Sequence, residues 1–322
     1  MKQSRFEQLH QRQWQSFAQQ LQSLKGHQVD LSDFAANYRR ICQHLALAEA
    51  RGYSSQLVAH LQQLATAGHR AFYRRKSHFL ARLIGFVVAD FPRLVRQQWR
   101  LVVLSALLLY GSLALCALLF YRYPELIHKL LDTSGIREME DMYNPALRHL
   151  GPFAHRGSAI DWTMFGFYIM NNIGIAFQMF AGGLVLGLGT ILYLLYNGMQ
   201  IGAAAGHLSV IGYGQNFWSF AVGHSAFELN AIVIAGASGL RLGLSLLMPG
   251  QLPRGQALRQ GAQTAVALVC GAALMLVVAA FIESFWSSFR LINPTIKYGV
   301  AVLLWLLVGA WLLLAGRNHA AA

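Results

Sequence analysis

Hydrophobic positions divide the chain into a leading stretch that alternates with polar residues at helical spacing and a trailing stretch of long apolar runs. The runs are Leu101–Phe120, Ile173–Tyr196, Thr264–Ile282 and Tyr298–Ala315. Each approaches or exceeds the roughly 18–20 residues that cross a bilayer core. They are continuously apolar rather than alternating, which predicts helices and not a barrel. The run from Trp162 to Tyr196 would measure about 50 Å as one helix, more than one bilayer. It reads as an interfacial entry over Trp162–Met170, a junction at Asn171-Asn172 and a span over Ile173–Tyr196. Residues 197–215, rich in glycine, read as a broken span or a re-entrant hairpin.

Before residue 95 the spacing predicts a small helical domain. Phe6, Leu9, Gln13, Phe17, Leu21 and Leu24 fall on one helix face, with Gly26 as its end. A second helix is expected from Asp30 or Ser32, with Phe34, Tyr38, Ile41 and Leu45 on one stripe, closed by Gly52. A third follows Ser54-Ser55, presents Leu57, Leu61 and Leu64, and stops near Gly68. A fourth sets Arg70, Arg74, Arg75, Lys76 and Arg82 opposite Phe72, Phe79, Leu83 and Phe86. Asp90 followed by Pro92 reads as the capped start of the first span, placing Arg93, Arg96 and Arg100 at headgroup level. The expected organisation is a basic domain at 1–95 and a transmembrane domain at 96–322, with a polar loop at about 122–161. That loop's histidines, His128, His149 and His155, lack metal-ligand spacing. The polar beginning shows no cleavable signal peptide.

Composition agrees with a membrane protein: 55% of residues are hydrophobic and 12% charged, where soluble domains carry about a quarter charged. Charge then orients the chain. Residues 1–100 hold 15 Lys/Arg against 5 Asp/Glu, whereas residues 122–161 hold 5 against 6. The positive-inside rule puts the N-terminus in the cytoplasm. It puts Arg241, Arg254, Arg259 and Arg317 there too, which requires residues 198–214 to cross. The expected fold is therefore an all-α polytopic bundle of about six crossings, one broken or short, preceded by a small cytoplasmic helical domain. A re-entrant segment would leave five. Topology and anionic headgroups account for the basic surface, so membrane lipids and not nucleic acid are the expected partners. Cys42, Cys116 and Cys270 are isolated and give no disulfide framework.

Candidate chemistry centres on His224 and Glu228, one helical turn apart in an apolar run. Ionisable groups inside a span are costly and usually face protein or water. Glu228 lies 13 residues before Arg241, about 20 Å along a helix, a depth at which it would be protonated or would share a proton with His224 or another donor. Ala231, Ala235, Ser238 and Gly239 continue the same face as a small-residue seam. The pair can serve as an internal packing bond or handle protons or a substrate. Asn197 and Glu283 are further intramembrane candidates; Glu283 is expected near an interface, solvated or paired with Arg290 or Lys297. Trp286, Trp305 and Trp311 suit interface belts. No metal site is expected, because the zinc-protease motif is absent and three ligands are wanted. His207 could be a third only if its segment folded back toward His224. No cofactor motif or catalytic triad is visible, and the chain reads as non-enzymatic.

Taken together, Asn171-Asn172, Gly187-x-Gly189, Tyr196-Asn-Gly198, the segment Gly223 to Gly243 and the Ile282-Glu283 ending resemble, in order, the stage II sporulation protein M family. The resemblance spans about residues 90–315 and is strongest at 217–243. His224, Glu228, Gly236, Gly239 and Gly243 occupy the family's motif, with Gly183 and Gly187 as further packing glycines. Gly223 stands where the family often has proline. The resemblance implies a multi-pass protein of the bacterial cytoplasmic (inner) membrane, in which the charge pattern puts both termini inside. In spore formers such proteins anchor peptidoglycan-degrading partners during engulfment. The basic leading domain resembles the variant of non-sporulating bacteria, implying a scaffold for envelope or peptidoglycan-remodelling partners, with an AAA ATPase system as a further partner. The alternative is a permease or a lipid or small-molecule transporter using His224 and Glu228. The small-residue seams also suit a homo-oligomer.

Overall fold

A computed structural model describes residues 1–23, 31–73, 79–146, 158–289 and 291–317. Two compact units divide the chain between Arg82 and Leu83, not at residue 95. The reason is packing: Phe91 and Val95 belong to the same buried cluster as Ala226, Ala231 and Leu276 of the second unit.

In the first unit α1 (Gln3–Ser23), α2 (Leu31–Ala50) and α3 (Ser55–Tyr73) pack around Phe6, Trp14, Phe17, Phe34, Ile41, Leu57, Leu61 and Leu64. The buried face of α1 runs through Trp14, while Leu9 and Gln13 are exposed. Trp14 wins that face because it fills more core and its indole donates to His44 Nδ1 at 3.1 Å. Gly68 does not stop α3. A Cβ there would sit 2.8 Å from both Phe17 and Tyr38, so glycine marks close helix packing. The expected stop at Gly26 and cap at Asp30 lie outside the described residues, as do Arg74 to Lys76.

His44 is buried, its ring 4.0 Å from that of His10. Burial holds its pKa below the usual histidine value, with His10 and Arg40 adding repulsion. The folded unit therefore resists a proton that the unfolded chain accepts, so stability is lost as pH falls through the unfolded value near 6.5. Limited proteolysis of the full-length protein should cut within residues 3–50 faster at pH 5 than at pH 7.5. His44→Gln should flatten that difference.

The second unit begins in α4 (Phe79–Gly85), which passes through a π-helical turn at Phe86–Asp90 into α5 (Phe91–Gln97). Asp90 does not cap a helix start. The chain is already helical there, and its side chain makes no capping bond. The wide turn absorbs Pro92, which cannot donate to the preceding turn. Arg96 lies inward: its two terminal nitrogens donate to Leu312 O and Ala315 O, both at 2.7 Å.

Among the described residues six long helices follow: α6 (Trp99–Arg122), α9 (Ser158–Gly182), α10 (Leu188–Val210), α11 (Gly214–Leu247), α12 (Arg254–Ile282) and α13 (Pro294–Leu314). Between α6 and α9 come the short α7 (Ile127–Leu130) and α8 (Thr133–Met142). Of the six, α6, α11, α13 and the helix formed by α12 with its extension to Ser287 are long and apolar enough to cross a membrane. The chain is thus an all-α membrane protein. α11 is the hub, touching each of the other five. α6 is peripheral, with Leu107, Leu115 and Leu118 more than half exposed, as a lipid-facing helix requires.

Two boundaries depart from the sequence reading. α9 runs straight through Asn171-Asn172, and the break comes at Gly183–Gly187, where Gly187 has φ 83° and Leu186 φ 54°. That turn is feasible because the two helices meet backbone to backbone: a Cβ on Gly182 would sit 2.7 Å from Gly189 C, and one on Gly189 2.8 Å from Gly182 Cα. Thr190 Oγ1 closes the hairpin by donating to Met179 O at 2.7 Å. Residues 198–210 then form the second half of α10 and neither break nor fold back. Gly198, Gly202 and Gly206 are four apart, and each lies against α6 backbone, at Leu109, Leu113 and Ala117 in turn.

Candidate functional site

Polar side chains converge where α11 meets the end of α12. One helical turn of α11 places His224 Nε2 3.2 Å from Glu228 Oε2. α12 does not continue as a regular helix but widens into a π-helical turn, Glu283–Ser287. That wider turn brings Glu283 and Ser287 toward His224. Ser287 Oγ lies 3.1 Å from His224 Nδ1. One ligand atom each of His224, Glu228 and Glu283 lies within 4.8 Å of the others. Glu283 is thus buried in the bundle and not solvated at an edge.

Local sequence explains the approach. A Cβ on Gly223 would come within 2.6 Å of Ser287 Oγ. Glycine there lets α11 close on the π turn, and α11 stays helical through it. Lys297, 1% exposed, donates from Nζ to Ser287 O at 2.8 Å, satisfying a carbonyl of the widened turn. Its expected pairing with Glu283 is replaced by this bond. Trp305 Nε1 donates to Ser225 Oγ at 3.1 Å, and Trp311 Nε1 to Val87 O at 3.0 Å. These indoles tie helices together as well as meeting the apolar surroundings.

The stretch from Pro124 to Tyr143 is held onto the same end of α11. Tyr143 packs against Phe217 and Phe220, at ring separations of 5.3 and 5.8 Å, and its carbonyl accepts from Asn216 Nδ2 at 2.9 Å. Burial raises the Tyr143 phenol far above its ordinary pKa, and the charges of Glu283, Tyr168 and Glu228 raise it further. Its hydroxyl therefore stays protonated. His207 at the end of α10 does not join His224. Its Nε2 meets Glu140 Oε1 of α8 at 2.8 Å. Ile127 and Ile136 complete the attachment by packing with Phe120 and Ala203.

The remaining candidates lie elsewhere. Asn197 bonds back to Tyr193 O of its own helix at 2.8 Å, and Arg290 falls outside the described residues. Gly183 and Gly239 meet backbone to backbone, as do Gly187 and Gly243, while Gly236 faces Ser105 and Leu194. Ser287 escaped the sequence reading, although it follows Glu283 by the same four residues that separate His224 from Glu228. Tyr143 and Glu140 carried no local signal, since only the folded loop brings them to the bundle. Chemically the cluster offers an imidazole nitrogen and two carboxylates, a set able to hold a proton or a cation.

Comparison with known proteins gives two family matches. The family described as stage II sporulation protein M matches residues 79–288. A domain of unknown function (DUF8413) matches residues 4–74, nearly coextensive with the first unit. An uncharacterized protein of Methanocaldococcus jannaschii is 28% identical over 75 residues, which cover 23% of this chain and 42% of the relative. The chain therefore spans less than half of that relative's length. No solved structure matches.

Proposed function

The chain belongs to the stage II sporulation protein M family, and from that premise we propose that it is a non-enzymatic scaffold of the bacterial inner membrane. The carrying observation is the clamped segment from Pro124 to Tyr143. It is fixed to the bundle by the His207–Glu140 pair, the Asn216–Tyr143 bond and the Ile127/Ile136 contacts. Asp132, Arg137, Glu138 and Asp141 stay exposed. A charged surface fixed on a rigid helical base suits the recruitment of envelope or peptidoglycan-remodelling partners. The basic first unit faces the cytoplasm and engages anionic lipid or a soluble partner such as an AAA ATPase. Self-association through α6 or α13 is compatible with their exposed apolar faces.

Six crossings put both termini inside and the Pro124–Tyr143 segment outside. A single cysteine introduced at Arg254, in a chain without Cys42, Cys116 and Cys270, should be shielded from an impermeant thiol reagent in intact cells. One at Arg137 should react. Labelling at 254 from outside would sink this topology.

Transport is the second reading, favoured by three ionisable side chains gathered inside the bundle. It requires that Glu228→Gln leave assembly intact and abolish pH-dependent flux in proteoliposomes. The scaffold reading expects no such flux from the unaltered protein.

A further inference from the structure

We propose that His224, Glu228 and Glu283 form a binding site for a divalent transition-metal ion of the zinc type. The donor set comes first. One imidazole nitrogen and two carboxylates lie within 4.8 Å of one another. Nitrogen with oxygen donors suits zinc and its neighbours, whereas calcium and magnesium take oxygen alone. Two ligands each about 2.0–2.1 Å from a tetrahedral ion are about 3.3 Å apart. His224 Nε2 and Glu228 Oε2 already stand at 3.2 Å, so the pair needs almost no rearrangement to chelate.

Orientation is the second argument. A ligating histidine generally has its other ring nitrogen held by a partner that fixes the ring. Ser287 Oγ does this for His224 Nδ1 at 3.1 Å, leaving Nε2 turned toward Glu228. The ring is further fixed against Phe220, with centroids 5.2 Å apart. Gly223 and the π turn both serve this approach, and π turns recur at functional sites.

Environment is the third. Glu283 is 7% exposed and His224 6%, so this is not an exposed acidic cluster of the ordinary solvated kind. Two carboxyl groups that converge in a low-dielectric interior favour a proton or a positive charge close by, and a dication can take that place. The ligands come from two helices, so the ion would cross-link α11 to the end of α12. Three protein ligands would leave a fourth coordination position open to water.

This inference is independent of the scaffold reading: partner capture could fail with metal binding intact, and the reverse. The test uses full-length protein in detergent, carrying a tag without histidine, stripped with chelator and titrated with Zn²⁺ against a chromophoric competitor. The expected result is one saturable zinc per chain, with a rise of several degrees in Tm. Ser287→Ala should keep that stoichiometry and weaken affinity about 10–100-fold. Glu228→Gln combined with Glu283→Gln should abolish the site. Should the double variant misfold, the unaltered protein decides alone: the absence of a saturable one-per-chain site at micromolar zinc overturns the proposal. So does undiminished binding by a folded double variant.

Discussion

Replacing Gly239 with leucine is expected to destabilise the bundle by at least about 3 kcal/mol, the upper end of overpacking costs, and to leave little monodisperse protein in detergent. Gly239 sits where α11 crosses the α9–α10 hairpin, and its missing side chain is replaced by Met179 O and Thr190. The nearest atoms a leucine would meet are the Met179 carbonyl oxygen and the short, β-branched Thr190 side chain, which the Thr190–Met179 bond holds in place, so neither can swing away. Gly299 in α13 is the matched control, since nothing lies within 4 Å of a Cβ there. Gly299→Ala should be neutral or stabilising by up to about 1 kcal/mol. Size-exclusion profiles and thermal unfolding of the two variants separate packing glycines from incidental ones. Equal behaviour would mean that the seam does not hold the hub helix.

Glu140→Ala should release the Pro124–Tyr143 segment while leaving the helices intact. His207 is buried, and losing its partner leaves an unsatisfied group costing about 1–3 kcal/mol. Each 1.4 kcal/mol is a tenfold change in a local opening equilibrium, so amide exchange in α8 should accelerate about 5–100-fold. Exchange in α10 below Gly206 and in α11 should barely move. Unchanged exchange in α8 would show that Ile127 and Ile136 hold the segment without the His207–Glu140 contact.

Much of this fold could be read from the chain because apolar length is a strong local signal. The spans of α6, α12 and α13 lie close to the expected runs. The region from 162 to 215 was harder because glycine has two uses. At Gly187 it permits a left-handed turn. At Gly198, Gly202 and Gly206 the spacing of four denotes packing against α6, although the same residues resemble helix breakers. Asn171-Asn172 looked like a junction, yet paired amides can satisfy each other within a helix, as they do here at 2.9 Å. In the first unit Gly68 again reads as a stop but serves as a contact.

The site was legible in part for the same reason. His224 and Glu228 share one helix, so their spacing alone brings them together. Glu283 joins them only because a π turn redirects the end of α12, and periodicity carries no clear mark of such a turn. Lys297 and Glu283 seemed natural partners by charge, but the lysine answers a backbone carbonyl instead. His207 seemed a potential third ligand by chemistry, but the α9–α10 turn sends it to Glu140. Long-range placement decided both outcomes.

The scaffold account rests on the exposed face of α8 meeting an envelope partner. A photocrosslinking residue placed at Arg137 or Glu138 in living cells tests this directly. The account expects a discrete adduct to an envelope or peptidoglycan-remodelling protein that disappears in the Glu140→Ala background. A probe at Leu107, on the lipid-facing side of α6, should give none. No adduct at 137 or 138, or the same adducts from all three positions, would contradict it.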